Sequence, residues 1–145
     1  MSRPRLLAHV VVVSADVSRW GGTTTLIGVD YAHQLPADTE FPRTVRKLDV
    51  FTRFFVYGGG PETVRVEVWW LSPDGTDRQL VHGYNHEVPF DPTESVRDWV
   101  FRLTNVRLPG EGRYAVRVCR LVRTRARGLH WRPLRADYFQ VARAS

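Results

Sequence analysis

Residues 108–118 read LPGEGRYAVRV. A Pro-Gly turn feeds a run in which Tyr114, Val116 and Val118 fall on one side and Arg113 and Arg117 on the other. Alternation at period two is the pattern of a strand with one wet and one buried face. A tyrosine as the first inward residue after such a turn marks a tyrosine corner, where the phenol caps a sandwich core and bonds to backbone just upstream. The preceding run offers Trp99, Phe101 and Leu103 at matching parity. The stretch therefore predicts an all-β domain with Tyr114 substantially buried.

Working outward, no long segment repeats apolar residues at helical spacing. Short β-branched and aromatic runs recur instead, separated by turn residues. Strands are expected near 6–14, 23–32, 46–57, 63–71, 78–86, 96–106, 113–123 and 129–142, the last broken at Pro133. Trp20-Gly21-Gly22 reads as the turn between the first pair, and Ser72–Asp77 has Pro, Asp and Gly where a tight turn needs them. Neither a repeat nor a linker appears, so residues 1–145 read as one domain. The expected architecture is a two-layer antiparallel β-sandwich, immunoglobulin- or C2-like, of about eight strands with a C-terminal β-hairpin projecting from it.

Side chains alone register one hairpin. If Gly58–Glu62 is a five-residue loop, Val56, Phe54, Thr52 and Val50 face Val64, Val66, Val68 and Trp70. On the other side Arg53 meets Glu67, Phe51 meets Trp69 and Phe55 meets Arg65. Opposite-charge and aromatic cross-strand pairs each contribute up to ~1 kcal/mol. This register puts Phe51, Phe55, Tyr57, Trp69 and Leu71 on one sheet face, too aromatic to face water uncovered. It requires 46–57 and 63–71 to share a sheet.

TTTLIGVDY at 23–31, FRLTNVRLPGEGRYAVRV at 101–118 and YFQV at 138–141 resemble a group of small bacterial all-β domains with no established activity. The resemblance implies a fold and carries over no functional residue. The Arg-rich insertion between Val122 and Tyr138 departs from that group.

A composition of 43% hydrophobic and 25% charged residues suits a globular domain. No apolar run reaches the ~18 residues of a membrane span. The lone Cys119 precludes an intrachain disulfide and fits a reducing, cytoplasmic setting. Residues 1–15 weakly mimic a secretion signal, with Arg3 and Arg5 ahead of a short apolar run; the valine-rich run interrupted by His9 reads better as a buried strand. The net charge of +6 is unevenly spread: residues 112–145 hold nine arginines against Asp137 alone, while residues 1–111 carry twelve basic and fourteen acidic side chains. Such asymmetry points to an anionic partner.

Chemistry is scarce. His82 and His86 have the spacing of a helical metal pair, but Gly83, Asn85 and Pro89 argue for a strand, where they lie ~13 Å apart. Cys119 lacks a nucleophile's surroundings and reads as a structural thiol. The Gly58–Glu62 segment has neither the lysine nor the following helix of a phosphate loop. No catalytic motif is found, and no metal or cofactor is implied.

RVCRLVRTRARGLHWRPLRAD at 117–137 remains. Arg120 breaks the alternation, through a bulge or because the strand has left the core. Residues 120–137 thus read as a basic partner-binding arm that includes Arg120, with Arg123, Arg125, Arg127, Arg132 and Arg135 exposed and His130 and Trp131 near the tip. Arginine beside tryptophan is enriched at interface hot spots. The leading expectation is a non-catalytic interaction or assembly module, binding a protein or a second copy through the arm and the aromatic face. Nucleic-acid binding through the arm comes second, and sugar stacking on the aromatic face third.

Overall fold

The computed structural model describes the backbone at residues 5–14, 16–20, 23–27, 32–57, 60–90 and 96–145, and side chains at 34–55, 61–90 and 96–145. These contain ten β-segments and no helix: β1 (Arg5–Ser14), β2 (Asp16–Trp20), β3 (Thr23–Ile27), β4 (Ala32–Leu35), β5 (Arg43–Tyr57), β6 (Gly60–Leu71), β7 (Arg78–Phe90), β8 (Val96–Leu108), β9 (Gly112–Thr124) and β10 (Gly128–Arg143). Seven of them have ten residues or more, against the eight strands expected. The run anticipated at 23–32 is split between β3 and β4, and β2 was not foreseen. Residues 21–22 of the expected Trp20–Gly22 turn lie outside the described residues, although β2 and β3 do pair across it.

Three sheets result, ordered β1-β5-β8, β4-β10-β9-β6-β7 and β2-β3. Apart from the parallel β4–β10 pair, every neighbour is antiparallel. The five-stranded sheet curls into a half-barrel around the three-stranded one, so that β7 meets β8 at one seam and β1 meets β10 at the other. Between them lies one core. Leu48, Val50 and Phe54 of β5 and Phe101, Leu103, Val106 and Leu108 of β8 face Val64, Val66 and Val68 of β6, Tyr114, Val116 and Val118 of β9, and Phe139 and Val141 of β10. Phe54 sits edge-on to Phe90 and Phe101, the geometry the ring quadrupole favours.

The expected hairpin between 46–57 and 63–71 does not exist, because β5 and β6 belong to different sheets. The chain arches from one layer to the other there, and again between β8 and β9. The physical reason is that inward parity looks the same in both cases. Phe54 and Val66 both point into the core, whether they sit side by side or face each other across it. Arg53 pairs with Asp98 of β8, at 2.7 and 3.0 Å, and not with Glu67. Phe51 lies between Val12 and Val100, not beside Trp69.

The tyrosine corner is present. Tyr114 is fully buried, and its hydroxyl donates to Gly110 O at 2.6 Å. Trp70 pins the same arch by donating its indole N–H to Glu111 O at 3.0 Å, with Gly110 packed beneath the ring. Gly112 has φ +135°, and a side chain there would press on Leu71 O. The Ser72–Asp77 turn joins β6 to β7 as expected: Gly75 N–H bonds to Ser72 O, and the Asp74 carboxylate accepts from the Ser72 and Thr76 hydroxyls.

Candidate interaction surface on the larger sheet and its hairpin tip

The five residues expected to form one aromatic face are divided. Phe51 and Phe55 lie on the outside of the three-stranded sheet, whereas Trp69 and Leu71 lie on the outside of the five-stranded one. Phe51 is buried, and Phe55, Trp69 and Leu71 are half-buried; the Tyr57 side chain falls outside the described residues. A shared aromatic platform, for a sugar or for a second copy, is thereby lost.

The outside of the larger sheet instead carries arginines laid over rings. Register brings Trp69, Ala115 and Tyr138 into one row and Glu67, Arg117 and Ala136 into the next. Trp69 has Arg78 at 4.5 Å and Arg117 at 5.2 Å from its centroid; Tyr138 has Arg113 at 4.1 Å. Glu67 is the hub: it accepts from Arg65 at 3.0 Å and from the Trp69 indole at 3.3 Å, and stands 3.7 Å from Arg117. Burial works to raise the Glu67 pKa, but the bonds from Arg65 and Trp69 and the Arg117 charge prevail and hold it below the usual carboxylate range. Cys119 lies buried beside this hub, and burial pushes its thiol up to about 12, which fits a structural thiol and no nucleophile.

The hairpin β9–β10 forms in the expected place, with Gly128 opposite Thr124. Its pairing with β6 ends at Arg120, and β4 covers β10 only from Gln140 to Arg143. Leu121–Thr124 and Gly128–Trp131 therefore pair only with each other among the described residues. Arg123, Arg125, Arg127, Arg132 and Arg135 are all exposed, and none has an acidic partner among the described residues. Glycine at 128 supplies the positive φ of the turn, and the Arg127 N–H bonds to the Thr124 hydroxyl.

Three members of the expected arm behave otherwise. Arg120 keeps its inward parity without a bulge in β9, is only 19% exposed and pairs with Glu62 at 3.6 Å. It closes the open end of the core rather than reaching outward. Trp131 is half-buried on the outer face, opposite Leu121, with the Arg65 guanidinium 5.9 Å from its ring. His130 is half-buried and turns back to the Gly128 carbonyl. The residue that sequence reasoning missed is Leu129. It is 57% exposed, opposite Arg123 on the side that bears Trp131. An apolar residue at outward parity in a strand was the available signal.

His86 lines the β7–β8 seam, where it stacks on Tyr84 and packs against Trp99 and Phe101, whereas His82 lies opposite Val68 of β6. Among the described residues no cluster of three histidines, cysteines or acids is placed to hold a metal ion, and no helix is long and apolar enough to cross a membrane.

No protein-family model and no curated protein matches the chain. Among solved structures it is similar to an immunoglobulin-like protein from Pseudomonas aeruginosa at 12% identity and a TM-score of 0.41, covering 95% of this chain and 97% of that one. It is also similar to β-glucosidases from Listeria innocua (10% identity, TM-score 0.40) and Thermotoga neapolitana (15%, 0.40), covering 96% and 97% of this chain. It spans only 16% and 17% of those two enzymes.

Proposed function

We propose that the protein is a non-catalytic interaction module, and that the tip of the β9–β10 hairpin docks on an acidic surface of another protein. The observation that carries this is Leu129, 57% exposed and opposite Arg123, beside the exposed Arg125 and Arg127 of the same tip, none of which has an acidic partner among the described residues. A protein interface combines an apolar anchor with arginines in this way, because desolvating the anchor supplies affinity while the guanidiniums select the partner's charge. Leu121 and Trp131 extend the apolar strip on the same side.

Phosphate binding by the same arginines is the second reading, favoured by their number and exposure. Base stacking adds little to it, since Trp69 is flanked by two guanidiniums and Tyr138 is covered by one. The test titrates the protein with a fluorescent glutamate-rich peptide and with a 20-base-pair duplex at several salt concentrations. Peptide binding that disappears in Arg123→Glu/Arg125→Glu/Arg127→Glu, and weakens in Leu129→Ser, supports the proposal. Equal binding by the triple variant overturns it. Duplex binding with a log–log salt slope near roughly −3.6, as about four phosphate contacts give, and no effect of Leu129→Ser, transfers the function to nucleic acid.

A further inference from the structure

An unpaired sheet edge needs a protecting device, or else it pairs. The free part of β10 carries several such devices: Pro133, an irregularity in register at Leu134, and Arg132 and Arg135. β7, which ends the larger sheet on the opposite side, has one bulge, at Val81, and no charge or proline beside it. From Gln79 to His86 it has no lysine, arginine, acid or proline, and Gln79, Leu80, Gly83, Tyr84 and Asn85 are exposed. Among the described residues its outer edge has no strand partner.

We propose that this edge binds the same edge of a second copy, joining two five-stranded sheets into one continuous ten-stranded sheet. This interface is independent of the hairpin tip. What identifies the occupant is the self-complementarity of β7. In an antiparallel pair, residues directly opposite share a face. On the outer face β7 presents Arg78 and Leu80 and then Gly83, Asn85 and Glu87, because the bulge at Val81 changes the parity: Leu80 lies opposite Trp69, and Gly83 opposite Glu67. The inner face carries Gln79, His82, Tyr84 and His86. A two-fold axis through Gly83 then matches every position with one of its own face. Arg78 meets Glu87, Leu80 meets Asn85, Gln79 meets His86, and His82 meets Tyr84, each twice.

Arg78 and Glu87 are the only fully charged residues of β7, and this one register sets them against each other at both ends. The bulges fall on opposite sides of the axis, so the offset introduced by one strand is cancelled by the other. At the axis itself Gly83 has no side chain of its own, and its place on the outer face is taken by Arg65. The Arg65 guanidinium lies over it in each copy, held by Glu67 and Asn85.

Sedimentation velocity of the full chain over a range of concentrations tests this. Wild type should show a concentration-dependent dimer. Arg78→Glu and Glu87→Arg each turn two attractions into two repulsions and should weaken dimerisation about tenfold or more. Mixing the two single variants should restore a dimer, because only the mixed pair places opposite charges at both ends; that result also shows that both variants fold. The double variant should dimerise with itself. A wild type that stays monomeric at several hundred micromolar, a dimer indifferent to both reversals, or single variants that fail to rescue each other would each overturn the proposal.

Discussion

The clearest single-residue device is Tyr114. Its hydroxyl spans the arch to Gly110, donating to the carbonyl at 2.6 Å and accepting a long bond from the N–H at 3.4 Å, so Tyr114→Phe keeps the ring and deletes one good bond and one weak one. A loss of about 1 kcal/mol in urea unfolding is expected. The pH dependence should show the same residue. Burial raises the phenol from an ordinary 10.0 to about 12 and, with Glu67 nearby, the Cys119 thiol from 9.0 to about 12. In both cases the folded state favours the neutral form. The stability they contribute is therefore whole below the unfolded value and erodes as pH climbs toward 12. Cys119→Ala should remove the part of the alkaline loss that begins near pH 9, and Tyr114→Phe the part that begins near pH 10, in denaturant melts taken from pH 8 to 12. This corner was legible in the sequence because turn, tyrosine and alternation lie within eleven neighbouring residues.

Among the elements, the hairpin β9–β10 was legible and the pairing of β5 was not. A hairpin announces itself through contiguous alternation around a turn. An arch leaves the same alternation and differs only in which strand comes alongside. Asp98, which bonds Arg53, lies forty-five residues away, and nothing local distinguishes it from Glu67. Arg120 illustrates the same limit on a smaller scale, since the composition of 117–137 groups it with the arm although its side chain closes the core beside Glu62. The two kinds of arginine should separate in stability measurements. Arg125→Glu with Arg127→Glu should shift unfolding by no more than about half a kcal/mol. Arg120→Glu, which sets a second carboxylate near Glu62 at a half-buried site, should cost about 1–3 kcal/mol.

At the scale of the molecule, repeated crossings between layers, from β4 to β5, β5 to β6, β7 to β8 and β8 to β9, make the strand pairings predominantly long-range. Proton NMR should show Thr52 close to Trp99 and Val11 across the ladder, with no strand-to-strand signal between Thr52 and Val68. Signals linking Thr52 and Val68 as paired neighbours would restore the hairpin and dissolve the two-layer arrangement. The central position of β9, with β6 on one flank and β10 on the other, also bears on how the chain is made. The ribosome delivers β9 only after about 40 further residues have followed β6, a wait of roughly 2–8 s at about 5–20 residues per second. Throughout that interval the flank of β6 that β9 will occupy has no neighbour, and the core lacks Tyr114, Val116 and Val118. A chain arrested just before Gly112 should therefore be held by chaperones or precipitate, while the finished chain leaves synthesis already closed.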